Sequence, residues 1–403
     1  TMIALLLLAS LSSVNGIVED RGKKLEFVYA LWRHGDRSPS MTFPTDPIQE
    51  NSWTFGEGGF GVLTPIGMDQ HFKLGRIMRN RYVETGFLSH QYKSKEVKVF
   101  SSKIVRTQVS AVSNMIGMYG SPNGSLGGIS YPNTPGWPTG FVPVPNQILE
   151  EASNALMNCP RSNEINQLIY RSKAFNTLKS NPKTQWVLSE LTRLTGTTAT
   201  LESLERFYEP MLGESIHFPS KLSEWCSKEL FDGVMEIFRV IDDLKAGVGL
   251  EETVEGINLA FEVPLLHGGY FTEMMRDSMK KRIDGIKYFA VSSHDVEVSA
   301  FLSVFGIKEK LYRGRPNYTS SIVVELWTDE NGEEFAKMFF RNGDTDSLKV
   351  VTPLIEGCNG EEYCPIDVID MYITRFRPGN LFELCATPLQ IEKRIVTRGD
   401  RYI

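Results

Sequence analysis

Apolar runs and amphipathic stretches alternate along this chain, and the two patterns predict strands and helices in turn. Continuous or alternating apolar runs predict strands at residues 25–32, 97–101, 287–292, 322–327 and 336–341. The Asn331-Gly332 pair between the last two runs is a strong turn signal, so we expect these two strands to form a hairpin.

Apolar positions that recur every three or four residues predict helices at residues 68–82, 104–119, 221–244 and 271–283. Strands and helices alternate at both ends of the chain, which is typical of a layered α/β core. The middle is mainly helical and follows a connector rich in proline and glycine. We therefore expect an α/β core at 17–135 and 265–403, with a smaller helical cap inserted at 136–264 over one end of the sheet.

The composition is that of an ordinary globular protein, with 41% hydrophobic and 23% charged residues among 403. That length allows one large domain with an insertion, or two domains. The formal net charge is −6, so there is no overall basic field to attract nucleic acid or an anionic membrane. Any anion-binding arginines must therefore act locally, and no nucleic-acid partner is expected.

Residues 2–11 form a short apolar segment that is followed by small polar residues and Val14-Asn15-Gly16. This pattern predicts a secretory signal peptide at 1–16. The segment is too short to span a bilayer, and no later window reaches the ~18 apolar residues that a span requires. We therefore expect an exported protein without a membrane span, in the extracellular space or a lysosome-like lumen.

The five cysteines of an exported chain predict two disulfides and one free thiol. Cys358 and Cys364 lie close together in sequence and form a plausible local pair. Zinc is the competing interpretation, but no histidine lies near these cysteines and the C-x-x-C spacing is absent. Asn123 and Asn317 stand in Asn-x-Ser/Thr sequons, which agree with a secreted glycoprotein.

Residues 33–39, Arg-His-Gly-Asp-Arg-Ser-Pro, follow directly on the first predicted strand. Guanidinium groups neutralise and orient a phosphate, while an imidazole between them is suited to attack it as a nucleophile. Open α/β sheets also place their ligands at the carboxyl ends of the strands. An Arg-His-Gly triplet alone arises by chance in many chains, but the longer pattern after a strand favours a phosphate site around His34.

Two further strand ends carry groups that suit a phosphate. Strand 97–101 leads into a helix with Arg106 in its first turn, where the helix dipole favours an anion. Strand 287–292 leads into His294 and Asp295, and a protonated Asp295 would supply a proton to a leaving alcohol, which predicts an acidic working pH. Arginines and imidazole take the place of a metal here, so we expect no metal and no cofactor.

On these motifs the chain resembles the histidine acid phosphatases, in the branch that includes the prostatic and lysosomal enzymes. The resemblance rests on residues 33–39, 59–64, 158–161 and 293–295 and on the helix start at Arg106-Thr107. It implies the three-layer α/β/α fold of the histidine phosphatase superfamily. It also implies acid hydrolysis of phosphate monoesters, either small molecules or phosphoprotein side chains, through a covalent phosphohistidine.

The resemblance implies a role for each candidate site residue. His34 would be the nucleophile and Asp295 the proton donor, and the phosphoryl group would be bound by Arg33, Arg37, Arg106 and His294. Relatives are often dimers, so the resemblance is compatible with a homodimer.

The resemblance also implies disulfides between Cys159 and Cys385 and between Cys358 and Cys364. A third bridge of the relatives is absent, because Gly213 and Ser321 stand where its cysteines would be. Cys226 lies outside the family pattern in a helical stretch, and we expect it to be a buried free thiol.

Glu297 departs from many relatives, which have a neutral residue at that place. We expect its carboxylate either to raise the pKa of Asp295 by like-charge repulsion or to point to solvent. Four other histidines show no partner pattern and are expected in structural or surface roles: His71, His90, His217 and His267.

Two alternatives stay open besides an acid phosphatase. A phytase or inositol polyphosphate phosphatase shares the first motif, although such relatives tend to have more cysteines and often an asparagine shortly after the His-Asp pair. A non-catalytic relative would keep the anion pocket without the reaction. A cofactor-dependent mutase is disfavoured because the motif extends through Arg37 and Pro39.

Overall fold

The computed structural model describes residues 12–14, 17–120, 125–250 and 253–389. Most of the predicted signal peptide, at 1–11 and 15–16, lies outside the described residues, as does the sequon asparagine Asn123. None of the helices in the described part of the chain is long and apolar enough to cross a membrane.

The strands are β1 (Ser12–Val14), β2 (Ile17–Asp20), β3 (Lys23–Arg33), β4 (Val97–Ser101), β5 (Gln147–Ile148), β6 (Thr253–Val254), β7 (Ile257–Asn258), β8 (Tyr288–Ser293), β9 (Ser321–Asp329), β10 (Glu334–Arg341), β11 (Lys349–Val350) and β12 (Cys364–Pro365).

The helices are α1 (Pro65–Met78), α2 (Val105–Tyr119), α3 (Glu150–Met157), α4 (Pro160–Arg171), α5 (Lys173–Ser180), α6 (Pro182–Thr195), α7 (Glu205–His217), α8 (Pro219–Trp225), α9 (Lys228–Lys245), α10 (Leu259–His267), α11 (Gly269–Lys280), α12 (Asp295–Val304), α13 (Lys308–Leu311), α14 (Ile366–Arg375) and α15 (Leu381–Ala386). Short 3-10 turns lie at Glu50–Ser52, Lys281–Asp284 and Thr352–Leu354, and one π-helical turn at Arg79–Val83.

A mixed sheet of ten strands in the described residues has the central order β11-β10-β9-β3-β8-β4-β5. Strands β3, β8, β4 and β5 are parallel to one another, whereas β9 and β10 form the predicted hairpin and run antiparallel to their neighbours. All five predicted strands are present, as β3, β4, β8, β9 and β10. The parallel half matters for function because three of its strands end at the same edge.

Helices cover both faces of the sheet, which confirms the predicted three-layer fold. Strand β3 is buried on both sides, as a near-continuous apolar run requires. Its Phe27, Tyr29 and Leu31 pack in one core with α11, α12 and α14. Its Val28, Ala30 and Trp32 pack in the opposite core with α1 and α2.

Helices α3 to α10 and α15 enclose a separate apolar core, centred on side chains such as Leu168, Phe207 and Phe238. This is the helical region that the sequence predicts, and its boundaries at 136 and 264 stay a prediction. The predicted disulfides Cys159–Cys385 and Cys358–Cys364 are present. Cys226 is a buried free thiol, as predicted.

The predicted helix at 221–244 is wrong in one respect, because it is two helices that meet at Cys226 and Ser227. The Ser227 side chain accepts a hydrogen bond from the backbone N–H of Leu230 at 3.2 Å and begins α9 as its N-cap. The apolar period continues across this break, so hydrophobic pattern alone did not show it.

Candidate active site

Strands β3, β8 and β4 lie side by side and end at one edge of the sheet, where each is followed by a polar residue. The backbone N–H of His34 donates to the Ser293 carbonyl at 3.0 Å, and that of Ser102 donates to the Ser292 carbonyl at 3.1 Å. These bonds continue the strand pairing beyond the strand ends. They fix the starts of the three loops that carry the predicted site residues.

The loop after β3 is held against the first turn of α1 by contact between two glycines. A Cβ atom on Gly35 would lie 2.3 Å from the Gly67 carbonyl oxygen, and one on Gly67 would lie 2.2 Å from the Asp36 carbonyl oxygen. No side chain fits at either position. The close approach of the two backbones therefore sets the height of His34 above the sheet.

His34 is buried, with 1% of its surface exposed, and its ring is oriented by its own loop. Its Nδ1 lies 2.8 Å from the Gly35 carbonyl oxygen, which can only accept a hydrogen bond. Nδ1 therefore carries the proton, and the lone pair is on Nε2. Burial lowers the pKa of His34 well below its usual value, and the charges of Arg106, Arg33 and Arg37 lower it further. The ring is thus neutral and nucleophilic even in acid.

His294 faces His34 across the site, with ring centroids 5.5 Å apart in an edge-to-face arrangement. Its Nε2 lies 2.9 Å from the Ser102 hydroxyl and its Nδ1 lies 3.5 Å from Nη2 of Arg106. Burial and the Arg106 charge lower the pKa of His294 to about 3. In the unliganded site it is therefore a second neutral imidazole.

Arg37 and Arg106 enter the site from different elements and differ in how they are neutralised. Arg37 donates from both terminal nitrogens to Glu209 of α7, at 2.5 and 3.3 Å. Arg106 has no ion-pair partner among the residues that the structure describes. Burial and the nearby Arg37 charge lower the pKa of Arg106 to about 10. An anion that enters the site would therefore stabilise the charged form of Arg106.

Arg33 lies behind the other groups rather than on the cavity wall. Its Nη2 is 2.9 Å from the Asp295 carboxylate, its Nη1 donates to the Pro316 carbonyl at 2.6 Å, and it stacks 4.3 Å from the Tyr318 ring centre. Burial alone would raise the pKa of Asp295, but the charges of Arg315 and Arg33 outweigh it and the pKa is lowered. Asp295 is therefore ionised in the unliganded site.

These groups surround a cavity of about 430 Å³. Five of the six predicted site residues line it: His34, Arg37, Arg106, His294 and Asp295. Its inner end, next to the strand ends, holds Arg37 and Arg106. The rest of the lining includes the carboxylates of Glu205, Glu209 and Asp242 from the helical region, together with Lys245 and Arg315, which pair with them. Such a cavity suits a tetrahedral anion held at the inner end, with the rest of the ligand directed outward.

Arg315 also lines this cavity, and sequence reasoning missed it because it follows no strand. Its guanidinium makes two hydrogen bonds to Asp242 at 3.0 and 3.2 Å and lies 3.4 Å from Glu209. Its Nε is 3.9 Å from the Asp295 carboxylate. Arg315 thus joins the helical region to both Asp295 and, through Glu209, Arg37.

A second connection to the helical region joins Asp36 to His217, whose Nε2 lies 2.7 Å from the Asp36 carboxylate. Both side chains are almost fully buried, at 1% and 4% exposed. The Thr64 hydroxyl donates to the same carboxylate oxygen. His217 therefore has a structural role, which is one of the two roles expected for it. Its partner Asp36 belongs to the loop that carries His34.

The two expectations for Glu297 are both corrected. The residue is only 8% exposed, so it does not point to solvent, and its carboxylate accepts a hydrogen bond from the His294 backbone N–H at 3.1 Å. Repulsion by Glu297 also does not raise the pKa of Asp295 above its usual value, because the charges of Arg315 and Arg33 lower that pKa.

Across the described ranges there is no group of three or more His, Cys, Asp or Glu side chains that could hold a metal ion. The Gly-rich segment at 56–61 lies beside the site, since a Cβ atom on Gly61 would be 3.6 Å from Nη1 of Arg106. The anion-binding groups described above are cationic arginines and neutral imidazoles.

Residues 24–341 match the family model described as the histidine phosphatase superfamily (branch 2). The prostatic acid phosphatase of Bos taurus is 33% identical over 349 residues, which cover 84% of this chain and 82% of that protein. The lysosomal acid phosphatase of Homo sapiens is 31% identical over 373 residues, which cover 89% of this chain and 80% of that protein. Among solved structures, a Hafnia alvei phytase in complex with myo-inositol hexakis sulphate aligns with a TM-score of 0.61 at 13% identity, over 90% of this chain and 99% of that one. This last similarity concerns the fold alone.

The buried contact between Asp36 and His217 leads to a prediction. His217→Phe should lower the free energy of unfolding by about 2 to 3 kcal/mol, because the buried Asp36 carboxylate then keeps only the Thr64 hydroxyl of its two side-chain donors. It should also lower kcat/KM, because Asp36 lies between His34 and Arg37 in the chain. Urea unfolding and steady-state kinetics measure the two effects. His90→Phe is the control, since the His90 side chain is 54% exposed. Equal stability of the two variants would contradict the prediction.

Proposed function

This chain belongs to the histidine phosphatase superfamily (branch 2) and is a phosphatase, and from that premise we propose how its residues hydrolyse a phosphate monoester in acid. His34 is the nucleophile and Asp295 is the proton donor. Arg37, Arg106 and His294 bind the phosphoryl group directly. Arg33 contributes positive charge from outside the cavity wall, where it pairs with Asp295. The observation that carries the proposal is the His34 tautomer, with its Nε2 lone pair facing a cavity lined by Arg37 and Arg106.

In the first step the lone pair on Nε2 of His34 attacks phosphorus. The P–N bond forms, the P–O bond to the leaving alcohol breaks, and its electron pair stays on the alcohol oxygen. Asp295 gives that oxygen a proton. The arginines neutralise charge on the three non-bridging oxygens, which is the main requirement of phosphoryl transfer.

In the second step Asp295 takes a proton from water as the water oxygen attacks phosphorus. The P–N bond breaks, its electron pair returns to Nε2, and inorganic phosphate leaves. The water molecule thus supplies the new P–O bond and restores the proton on Asp295. Both half-reactions use the same side chains, and neither uses a metal or a cofactor.

Asp295 must gain a proton once substrate is bound, although it is ionised in the empty site. The bound phosphoryl group brings negative charge close to Arg33 and to Asp295 itself. Both effects raise the pKa of Asp295, because they offset the cations and add like-charge repulsion. Acidic solution then provides the protonated carboxyl that the leaving group needs, which supports an acidic working range.

A substrate with one phosphate fits the cavity better than a polyphosphate such as phytate. The wall beyond Arg37 and Arg106 carries Glu205, Glu209 and Asp242, and its two cations, Lys245 and Arg315, are already paired with these carboxylates. It therefore offers no unpaired cation to further phosphate groups on the leaving side. The phytases among the aligned structures are 12–18% identical to this chain, against about 30% for the acid phosphatases. Small phosphate monoesters and phosphorylated protein side chains both remain within the proposed substrate class.

We also propose that the chain is exported. Its two disulfides are typical of proteins that fold in oxidising compartments, and the sequon residue Asn317 is exposed on a turn. The predicted signal peptide agrees with this route. Association of two copies stays a prediction of the family resemblance.

The covalent step gives the most direct test. Rapid alkaline quench of a reaction with a radiolabelled aryl phosphate should trap label on the wild-type protein in an acid-labile, base-stable form, as expected of phosphohistidine. His34→Ala should trap none and should lower kcat by at least about 10³-fold, because the nucleophile is removed. A non-catalytic anion-binding protein would trap no label in either form.

The assignment of the proton donor predicts a dependence on the leaving group. Asp295→Asn should lower kcat by about 10²- to 10⁴-fold for an alkyl phosphate, whose alcohol needs a proton. The loss should be much smaller for 4-nitrophenyl phosphate, whose leaving group is stable as an anion. Equal losses for both substrates would show that Asp295 does not donate the proton.

The export proposal predicts a glycan at Asn317. When the chain is expressed through a eukaryotic secretory pathway, peptide N-glycosidase should shift its electrophoretic mobility. Asn317→Gln should reduce that shift by the mass of one glycan, since the sequon is lost. An identical shift in both proteins would contradict glycosylation at this residue.

A further inference from the structure

One carboxyl group in the active-site cavity has no part in the mechanism above. Glu297 is the third residue of α12, two positions after Asp295, and its side chain is on the cavity wall. Its carboxylate accepts a hydrogen bond from the His294 backbone N–H at 3.1 Å. This bond caps α12 and positions the backbone of His294, the N-cap residue whose ring faces the site.

Glu297 has no cation in ion-pair contact within the described part of the chain. On one side a small cavity of about 40 Å³ is lined by apolar groups of α3 and α11, including Leu156 and Phe271, and by the Ser102 and Ser153 side chains. No ion pair to Glu297 is present among the described residues, whereas Glu209 pairs with Arg37 and Asp295 pairs with Arg33. A negative charge on Glu297 would therefore lie in the cavity without a direct ion-pair partner.

The ionisable groups that share its cavity come from several elements. They are Asp295 and His294 beside it, His34 opposite, Arg37, Arg106 of α2, Glu205 and Glu209 of α7, Asp242 and Lys245 of α9, His267 of α10, and Arg315. The residues of α3 and α11 that line the small cavity beside it carry no charge.

Few of these groups change charge in mildly acidic to neutral solution. Burial raises the pKa of Glu297 to about 7, and the neighbouring Asp295 raises it as well. The pKa values of His294, His267 and Glu209 are lowered to about 3, 4 and 2, so these groups keep their charge state above about pH 5. Burial also raises the pKa of Asp242, but that carboxylate is paired with Arg315, which opposes the rise.

We propose that Glu297 is a positioning residue that also limits anion binding to acidic solution. As a neutral acid it supports His294 through the helix cap and adds no charge. As a carboxylate it places an unpaired negative charge in the cavity that must hold the phosphoryl group, and the two repel. Affinity for a tetrahedral dianion therefore falls as the pH rises. The proposal rests on the proposed function for the identity of the ligand, but its test does not need turnover.

Sulfate is the probe, because it is a tetrahedral dianion throughout the pH range used and its own charge does not change. Calorimetric titration of the wild-type protein should show affinity at least about tenfold lower at about pH 8.5 than at about pH 5.5, as one added unit charge near the anion implies. Glu297→Gln keeps an acceptor for the His294 N–H and removes the ionisation. Its affinity should match the wild type at the lower pH and change less than about twofold over the range.

Glu297→Ala separates the two roles. It removes both the acceptor and the charge, so its sulfate affinity should be lower than that of Glu297→Gln at the acidic pH, and it too should vary little with pH. Thermal melting at the acidic pH establishes that each variant is folded. Equal affinity of the Ala and Gln variants in acid would overturn the positioning role.

Three results would overturn the pH role: no sulfate binding by the wild type, a wild-type pH dependence retained in Glu297→Gln, or a dependence abolished by Asp242→Asn instead. Failure of the proposed function is a different result. A protein that binds sulfate as expected but traps no phosphohistidine would overturn the catalytic assignment and leave the role of Glu297 intact.

Discussion

Burying several cations next to one another is the constraint on which this site depends. Arg33, Arg37 and Arg106 converge on two imidazoles in a region with little access to water, where like charges repel strongly. The protein offsets part of this charge with carboxylates from other elements, Asp295 for Arg33 and Glu209 for Arg37. Arg106 has no such carboxylate in the described part of the chain, so a phosphoryl group supplies the charge that the empty site lacks.

The same positive potential has a second effect, on the nucleophile. A histidine in water is largely protonated in acid and cannot attack phosphorus. Here burial and the three arginines keep His34 neutral, while the Gly35 carbonyl fixes the proton on Nδ1. One arrangement of charges therefore both attracts the substrate and keeps the attacking nitrogen free under acidic conditions.

The sequence was sufficient for the groups that follow strands. Apolar runs located β3, β4 and β8, and parallel strands with a common edge had to bring His34, Arg106 and His294 close together.

Glu209 and Arg315 could not be predicted in this way. One lies within a helix of the helical region and the other follows a short helix, and neither position has a local pattern that distinguishes it from a surface residue. Their roles come from contacts between segments far apart in sequence. The break between α8 and α9 was missed for a related reason, since apolar spacing continues through Cys226 while the Ser227 side chain caps the start of a new helix.

The contact between Gly35 and Gly67 has a consequence for how such enzymes diversify. Because main chain touches main chain there, the location of the reacting nitrogen is independent of which side chains surround it. Residues of the outer wall can then be exchanged to accommodate a new leaving group without disturbing the chemistry underneath. Replacement of either glycine, by contrast, would displace the reactive centre itself, whatever the substrate.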